Sequence, residues 1–241
     1  MRVPDARTTE ALYVIAKAPR PGFAKTRLGH AIGHERAVTL YRGFLKDLAA
    51  RFSGSRFEPG WYVTPHDAAP ELRPLIGGGR VLFQSAGDLT QRQRELFRVA
   101  GSRGEERVVL VASDSPHLPV DKVEQAFRGL ERADLVLGPT YDGGYYLIGM
   151  RDPLEALSRG VLGRVPMSTG TELERLISDT RRRGLSVEQL EPIFDVDVEE
   201  DLRHLRQVAE RPDLPATRAA LESLGLLHEP EAVAGERPSE A

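Results

Sequence analysis

What most restricts the fold of this chain is an alternation. Short apolar runs of strand length take turns with amphipathic helical stretches over most of its length. Ala11–Lys17, Phe57–Val63, Arg80–Gln84, Arg107–Ala112, Leu135–Gly138, Tyr145–Met150 and Ser186–Leu190 are the strand candidates. Between them, Val38, Tyr41, Leu45 and Leu48 recur at helical spacing, as do Val123, Phe127 and Leu130, and again Leu202, Leu205 and Val208. Each set makes one buried stripe. Strands that re-enter a sheet through helices run parallel, so the pattern predicts an α/β sandwich of three layers around a mostly parallel, doubly wound sheet. Tyr141-Asp142-Gly143-Gly144, lying between two apolar runs, has the chemistry of a tight hairpin and would add one antiparallel strand.

A chain of 241 residues with 40% hydrophobic and 29% charged side chains can build one such unit. The expected organisation is a flexible N-terminus over 1–10, a single nucleotide-binding domain over 11–227, and a disordered Glu-, Pro-, Ala- and Ser-rich tail over 228–241. Thirty-three basic against 36 acidic residues leave a net charge of −3, with no global positive field for nucleic acid or anionic lipid. Neither partner is expected. Cysteine is absent, which excludes thiolate nucleophiles, disulfides and Cys-ligated metals. The opening residues are polar and no apolar run is long enough to span a bilayer, so the expected location is the cytoplasm.

In open α/β sheets ligands bind beyond the carboxyl ends of the strands, and four polar clusters fall there. The first, Lys17 to Leu28, places Lys17, Arg20, Lys25 and Arg27 on one loop stiffened by Pro19, Pro21 and Gly22. It reads as a phosphate cradle or as a solvated basic loop. The second, Ser113-Asp114-Ser115-Pro116, offers a carboxylate for Mg²⁺ or a plain turn before a helix. The third, Gly138 to Gly149, is a hairpin whose glycines and paired tyrosines also suit an acceptor pocket. In the fourth, Ile193 to Leu202, Asp197 with Glu200 reads equally as a metal ligand and as a helix cap. His117 stands beside a motif, and a surface or loop histidine is the simpler reading.

Together these clusters, with Gly87–Phe97 (GDLTQRQRELF), resemble the radical-SAM/selenodomain-associated transferase family, a branch of the GT-A-like nucleotide-diphospho-sugar transferases similar to the 2-phospholactate and molybdenum-cofactor guanylyltransferases. The carriers are AKAPRPGFAKTRL, VASDSPHLP, LGPTYDGGYYLIG and IFDVDVEEDL, spread from about Leu12 to Leu205. The resemblance implies a GT-A-like, Rossmann-like fold. It implies a nucleotide held by Ala16, Lys17, Pro19, Gly22, Lys25, Arg27 and Ser113, with Gly87, Asp88 and Leu89 by the base. Asp114 and Asp197 would take Mg²⁺ or Mn²⁺, Asp195 being the other candidate, and Lys25, Arg27 and Asp114 would carry the catalysis. The acceptor would meet Asp142, Gly143, Gly144, Tyr145, Ser168 and Thr169. The chain departs from the family's usual tryptophan before the Ser-Thr pair, having Met167 there.

Two reactions share this fold, nucleotidyl transfer from an NTP and glycosyl transfer from an NDP-sugar. Four cations in one loop suit a triphosphate whose pyrophosphate leaves with developing charge. The single Asp at Ser113–Ser115, where glycosyltransferases of this fold usually carry Asp-x-Asp, points the same way. The expected activity is therefore nucleotidyl transfer to a small phosphorylated or hydroxylated acceptor. Glycosyl transfer is the alternative, and a nucleotide-binding protein without turnover the third reading.

Overall fold

The computed structural model describes residues 9–163 and 170–228. Ser168 and Thr169, proposed for the acceptor, lie outside them, as do residues 1–8 and all but the first residue of the expected tail. In chain order the elements are β1 (Glu10–Lys17), α1 (Thr26–Ile32), α2 (His34–Phe52), β2 (Gly60–Thr64), α3 (Ala69–Ile76), β3 (Val81–Phe83), α4 (Leu89–Ser102), β4 (Arg107–Ala112) and α5 (Val120–Gly129). There follow β5 (Leu135–Pro139), β6 (Tyr145–Arg151), α6 (Pro153–Ser158), α7 (Glu172–Arg182), β7 (Val187–Gln189), α8 (Leu202–Val208) and α9 (Pro215–Ser223).

All seven expected strands form, in one sheet of order β3-β2-β1-β4-β6-β5-β7. β6 runs antiparallel to both β4 and β5, and the other pairings are parallel. The Asp142-Gly143 turn is what reverses the chain, Thr140 and Gly144 closing it with a 3.0 Å backbone hydrogen bond. The N-terminal boundary is earlier than expected. Glu10 begins β1, and the Thr9 carbonyl accepts from the Glu106 and Arg107 amides.

Period-two alternation divides each central strand between two cores. Leu12, Val14 and Ala16 of β1 and Val109 and Val111 of β4 face the side of α2 and α5, whereas Tyr13, Val108 and Leu110 face the side of α4 and α6. That is the three-layer sandwich. Polar contacts fix the outer helices. The buried carboxylate of Asp47 on α2 accepts from the Ala216 and Thr217 amides at 2.9 and 2.7 Å, satisfying the first turn of α9. α4 begins on a reciprocal cap, Gln91 N donating to Asp88 Oδ1 and Asp88 N to Gln91 Oε1, both at 2.9 Å.

The connections place the site. The chain winds outward from β1 to β3 and then returns to β4 on the other side of β1, so the β1/β4 boundary is a topological switch point. The loops after β1, β3 and β4, the β5–β6 turn and the segment after β7 all open at that edge.

Candidate functional site

A cleft of about 750 Å³ lies at this edge, and all four clusters contribute to it. Lys17, Lys25 and Arg27 come from the first loop and helix, Ser113 and Asp114 from the end of β4, Asp142, Gly144 and Tyr145 from the hairpin, and Asp195 and Asp197 from the segment after β7. Ala16, Gly87, Asp88 and Leu89 line it as well.

Lys25 is not the exposed loop cation expected. Its side chain is 3% exposed, with Nζ 2.5 Å from Asp114 Oδ1 and donating to the Val196 carbonyl at 2.6 Å. Its backbone is left-handed, φ 51°, at the residue preceding α1. A side chain in that region costs roughly 1–2 kcal/mol, held here by the ion pair and by packing near the Tyr41 and Phe44 rings. Arg27 is more open, 57% exposed in its side chain, and its Nη1 lies 2.8 Å from Asp197 Oδ2. So Lys25, just before α1, and Arg27, in its first turn, each already hold one of the two candidate metal carboxylates.

Arg20 is elsewhere. It turns away to α3, donating from Nε to both Glu71 oxygens at 2.8 and 3.0 Å and pairing with Asp67 at 3.1 Å. Pro19 and Gly22 are likewise outside the cleft lining. Gly22, at φ 71°, shapes the turn of the loop. Among the described residues the fourth cation lining the cleft is Arg92, from the first turn of α4, its Nε donating to the Gly87 carbonyl at 2.9 Å.

Other expected contacts are redirected too. Asp88 caps α4, so its carboxylate is engaged in the helix, while Leu89 beside it is exposed at the lip. Ser113 is buried with Oγ 2.8 Å from the Tyr41 hydroxyl, which also accepts from Lys17 N. Gly143 lies behind the hairpin rather than in the cleft. Its carbonyl accepts from Leu173 N at 3.2 Å, and a Cβ on it would stand 2.1 Å from the Gly170 carbonyl. The turn is thereby seated on the start of α7. The residue that caps the segment after β7 is Asp201, not Glu200: its Oδ2 accepts from the Asp197 and Val198 amides at 2.8 and 2.9 Å.

Asp195 is the residue whose environment the sequence hid. Burial, with the nearby charges of Asp142 and Asp114, raises its pKa to about 6. A partly buried carboxylate among carboxylates is a place where a cation would be favourable. Among the described residues no three acidic or histidine side chains converge as a closed cation site.

The loops that carry these acids are tied together. Ser115 Oγ donates to the Phe194 carbonyl at 3.0 Å and Val196 N to the Asp114 carbonyl at 3.0 Å. His117 is buried, contrary to the surface reading, with its ring stacked on Phe194 at 3.8 Å. Burial, and then the nearby Arg211 and Arg51, push its pKa down to about 3. Folded His117 therefore stays neutral where the unfolded side chain, near 6.5, takes up a proton. Stability is lost as pH falls from about 6.5 towards 3, at about 1.4 kcal/mol per pH unit. Asp195 works the other way, since its raised pKa binds a proton first in the folded state. The two separate in His117→Phe, which keeps the stack and removes the titration. Relative to wild type, this variant is expected to gain about 2 kcal/mol between pH 7 and pH 5 in urea unfolding. A difference independent of pH would refute the assignment.

No helix among the described residues is long and apolar enough to cross a membrane. The family described as "uncharacterized protein conserved in bacteria (DUF2064)" matches residues 55–169. No curated protein matches the chain. Among solved structures, a protein from Desulfovibrio desulfuricans G20, provisionally described as a nucleotide-diphospho-sugar transferase, is 29% identical with a TM-score of 0.81, over 90% of this chain and 96% of that one. A cytidylyltransferase from Leptospira borgpetersenii is 14% identical, TM-score 0.55, over 94% and 99% of the two chains. The 4-diphosphocytidyl-2C-methyl-D-erythritol synthase of Anaerococcus prevotii is 10% identical, TM-score 0.52, over 88% and 99%. At the two lower identities the likeness is one of fold, and the fold is the GT-A-like, nucleotidyltransferase-like sandwich that the sequence predicts.

Proposed function

We propose that this protein is a Mg²⁺-dependent nucleotidyltransferase, joining an NTP to a small acceptor with release of pyrophosphate. The observation that carries the reading is the double pairing of Lys25 with Asp114 and Arg27 with Asp197 across one cleft. Lys25 and Arg27 would be available to phosphate oxygens and Asp114 and Asp197 to a divalent cation if a phosphate chain with its cation replaced both pairs. Asp114 and Asp197 would hold the ion, which when bound neutralises charge on the phosphates. Lys17, Lys25, Arg27 and Arg92 would orient the phosphates and stabilise the departing pyrophosphate. Leu89 and the Gly87–Asp88 backbone would flank the base. No protein nucleophile is required, since the acceptor attacks the α-phosphorus directly.

Glycosyl transfer is the second reading, favoured by the description of the 29% identical structure. The two are separated by what leaves. Incubated with Mg²⁺, each NTP in turn and a panel of small hydroxylated and phosphorylated acceptors, the protein is expected to release pyrophosphate in an acceptor-dependent way. Free NDP from UDP- or GDP-sugars, with no pyrophosphate from any NTP, would transfer the assignment to glycosyl transfer. Tight binding of NTP with Mg²⁺ and no product from any donor would favour the protein without turnover.

A further inference from the structure

A core aromatic reaches the cleft from behind. In sequence Tyr41 belongs to the apolar stripe of α2 with Val38, Leu45 and Leu48, and it is buried, yet it lines the cleft at the switch point between β1 and β4. The ladder between these two strands stops at Ile15 and Ala112. Ala18 N donates to the Thr64 carbonyl on the β2 side, so by the alternation of a strand the Lys17 N–H points to the β4 side, where the ladder has ended. The Tyr41 hydroxyl accepts from Lys17 N at 3.2 Å and lies 2.8 Å from Ser113 Oγ, so it bridges the ends of both strands.

The protons of this bridge follow from chemistry. Lys17 N is a donor, so the phenol's single proton has Ser113 Oγ as its acceptor. A phenol is the more acidic hydroxyl and the better donor, an alcohol the better acceptor, which sets the direction from Tyr41 to Ser113. Burial and the negative charge of Asp114 raise the pKa of Tyr41, so this donor keeps its proton. Ser113 is then left with a proton of its own and, among the described residues, no hydrogen-bond acceptor for it. It lines the cleft directly before Asp114, where an oxygen of a bound ligand can accept.

We infer that Tyr41 is a positioning residue for the phosphates of a bound nucleotide, its hydroxyl orienting Ser113 to donate to a phosphate oxygen and fixing the Lys17 backbone beside it. The inference rests on the nucleotide-binding reading of the cleft, which nucleotidyl and glycosyl transfer share. Tyr41→Phe isolates the hydroxyl, because it keeps the ring whose centroid lies 5.8 Å from Lys25 Nζ. Each NTP, UDP-glucose and GDP-mannose, with Mg²⁺, is titrated calorimetrically onto the full chain. Tyr41→Phe is expected to weaken the tightest of these ligands by about tenfold, the value of one well-made hydrogen bond, and Ser113→Ala by as much. The double variant should lose about tenfold as well, where two independent residues would lose about a hundredfold. Phosphorus NMR of the bound ligand gives a readout that a purely structural tie would not move, since both single variants should shift the resonance of the same phosphorus. Wild-type affinity in either single variant overturns the inference, and so does a hundredfold loss in the double variant or a different phosphorus shifted by each. Failure of the nucleotide reading is seen separately, in the wild type, as absence of binding by every one of these ligands, and it takes the inference with it.

Discussion

Asp114→Asn is expected to lower Mg²⁺-dependent turnover by about 10²–10³-fold while leaving NTP binding at or above its wild-type level. The amide keeps the shape of the carboxylate and loses the charge that would hold the ion beside the reacting phosphate. The same change releases Lys25, whose ammonium sits 2.5 Å from Asp114 Oδ1. A freed cation in a partly desolvated cleft attracts phosphate more strongly than one already paired. Rate and affinity should thus move in opposite directions, a split that simple misfolding cannot produce. Pyrophosphate release in saturating Mg²⁺ and NTP reads the first, and calorimetric titration of NTP the second. Full activity in this variant would remove Asp114 from the mechanism. Asp197→Asn tests the companion carboxylate. If Asp195→Asn has the larger effect, the second ligand is Asp195.

Much of this site is legible in sequence because the residues follow strands directly. Lys17 ends β1, Asp114 comes two residues after β4, and Asp142 sits in a turn whose Asp-Gly chemistry also announces the antiparallel strand. What sequence cannot give is the direction of a side chain in a loop. Arg20 and Lys25 look alike in PRPGFAK, yet Arg20 is drawn outward by Asp67 and Glu71, some fifty residues away. Arg92, within an amphipathic helix, reads as ordinary surface charge until the cap at Asp88 turns its first residues into the cleft. The raised pKa of Asp195 depends on Asp142 and Asp114, which only the fold brings near. In the scaffold, α3 is obscured by Pro70 and Pro74, and α9 is held by Asp47, a buried acid with no local signature.

Lys25→Ala combines these threads, and its expected effect is double. Nucleotide affinity should fall by about 10–100-fold, since one charge-assisted contact to phosphate is worth roughly 1.5–3 kcal/mol. Stability should fall as well, by about 2 kcal/mol. Breaking a fully buried ion pair costs 3–5 kcal/mol, but Asp114 is 40% exposed in its side chain and water relieves part of its unpaired charge. Arg27→Ala, at an exposed position, should share the first effect and lack the second. Backbone and side-chain roles of Lys25 separate in Lys25→Gly, which removes the ammonium and tolerates φ 51°. It is expected to bind nucleotide as poorly as Lys25→Ala while unfolding at higher denaturant. Adding Asp114→Asn to Lys25→Ala removes the orphaned charge, so the double variant should be more stable than the sum of the two single losses predicts. Additive losses would mean that the 2.5 Å contact contributes nothing to the fold, and unchanged nucleotide affinity in Lys25→Ala would sink its role in holding phosphate.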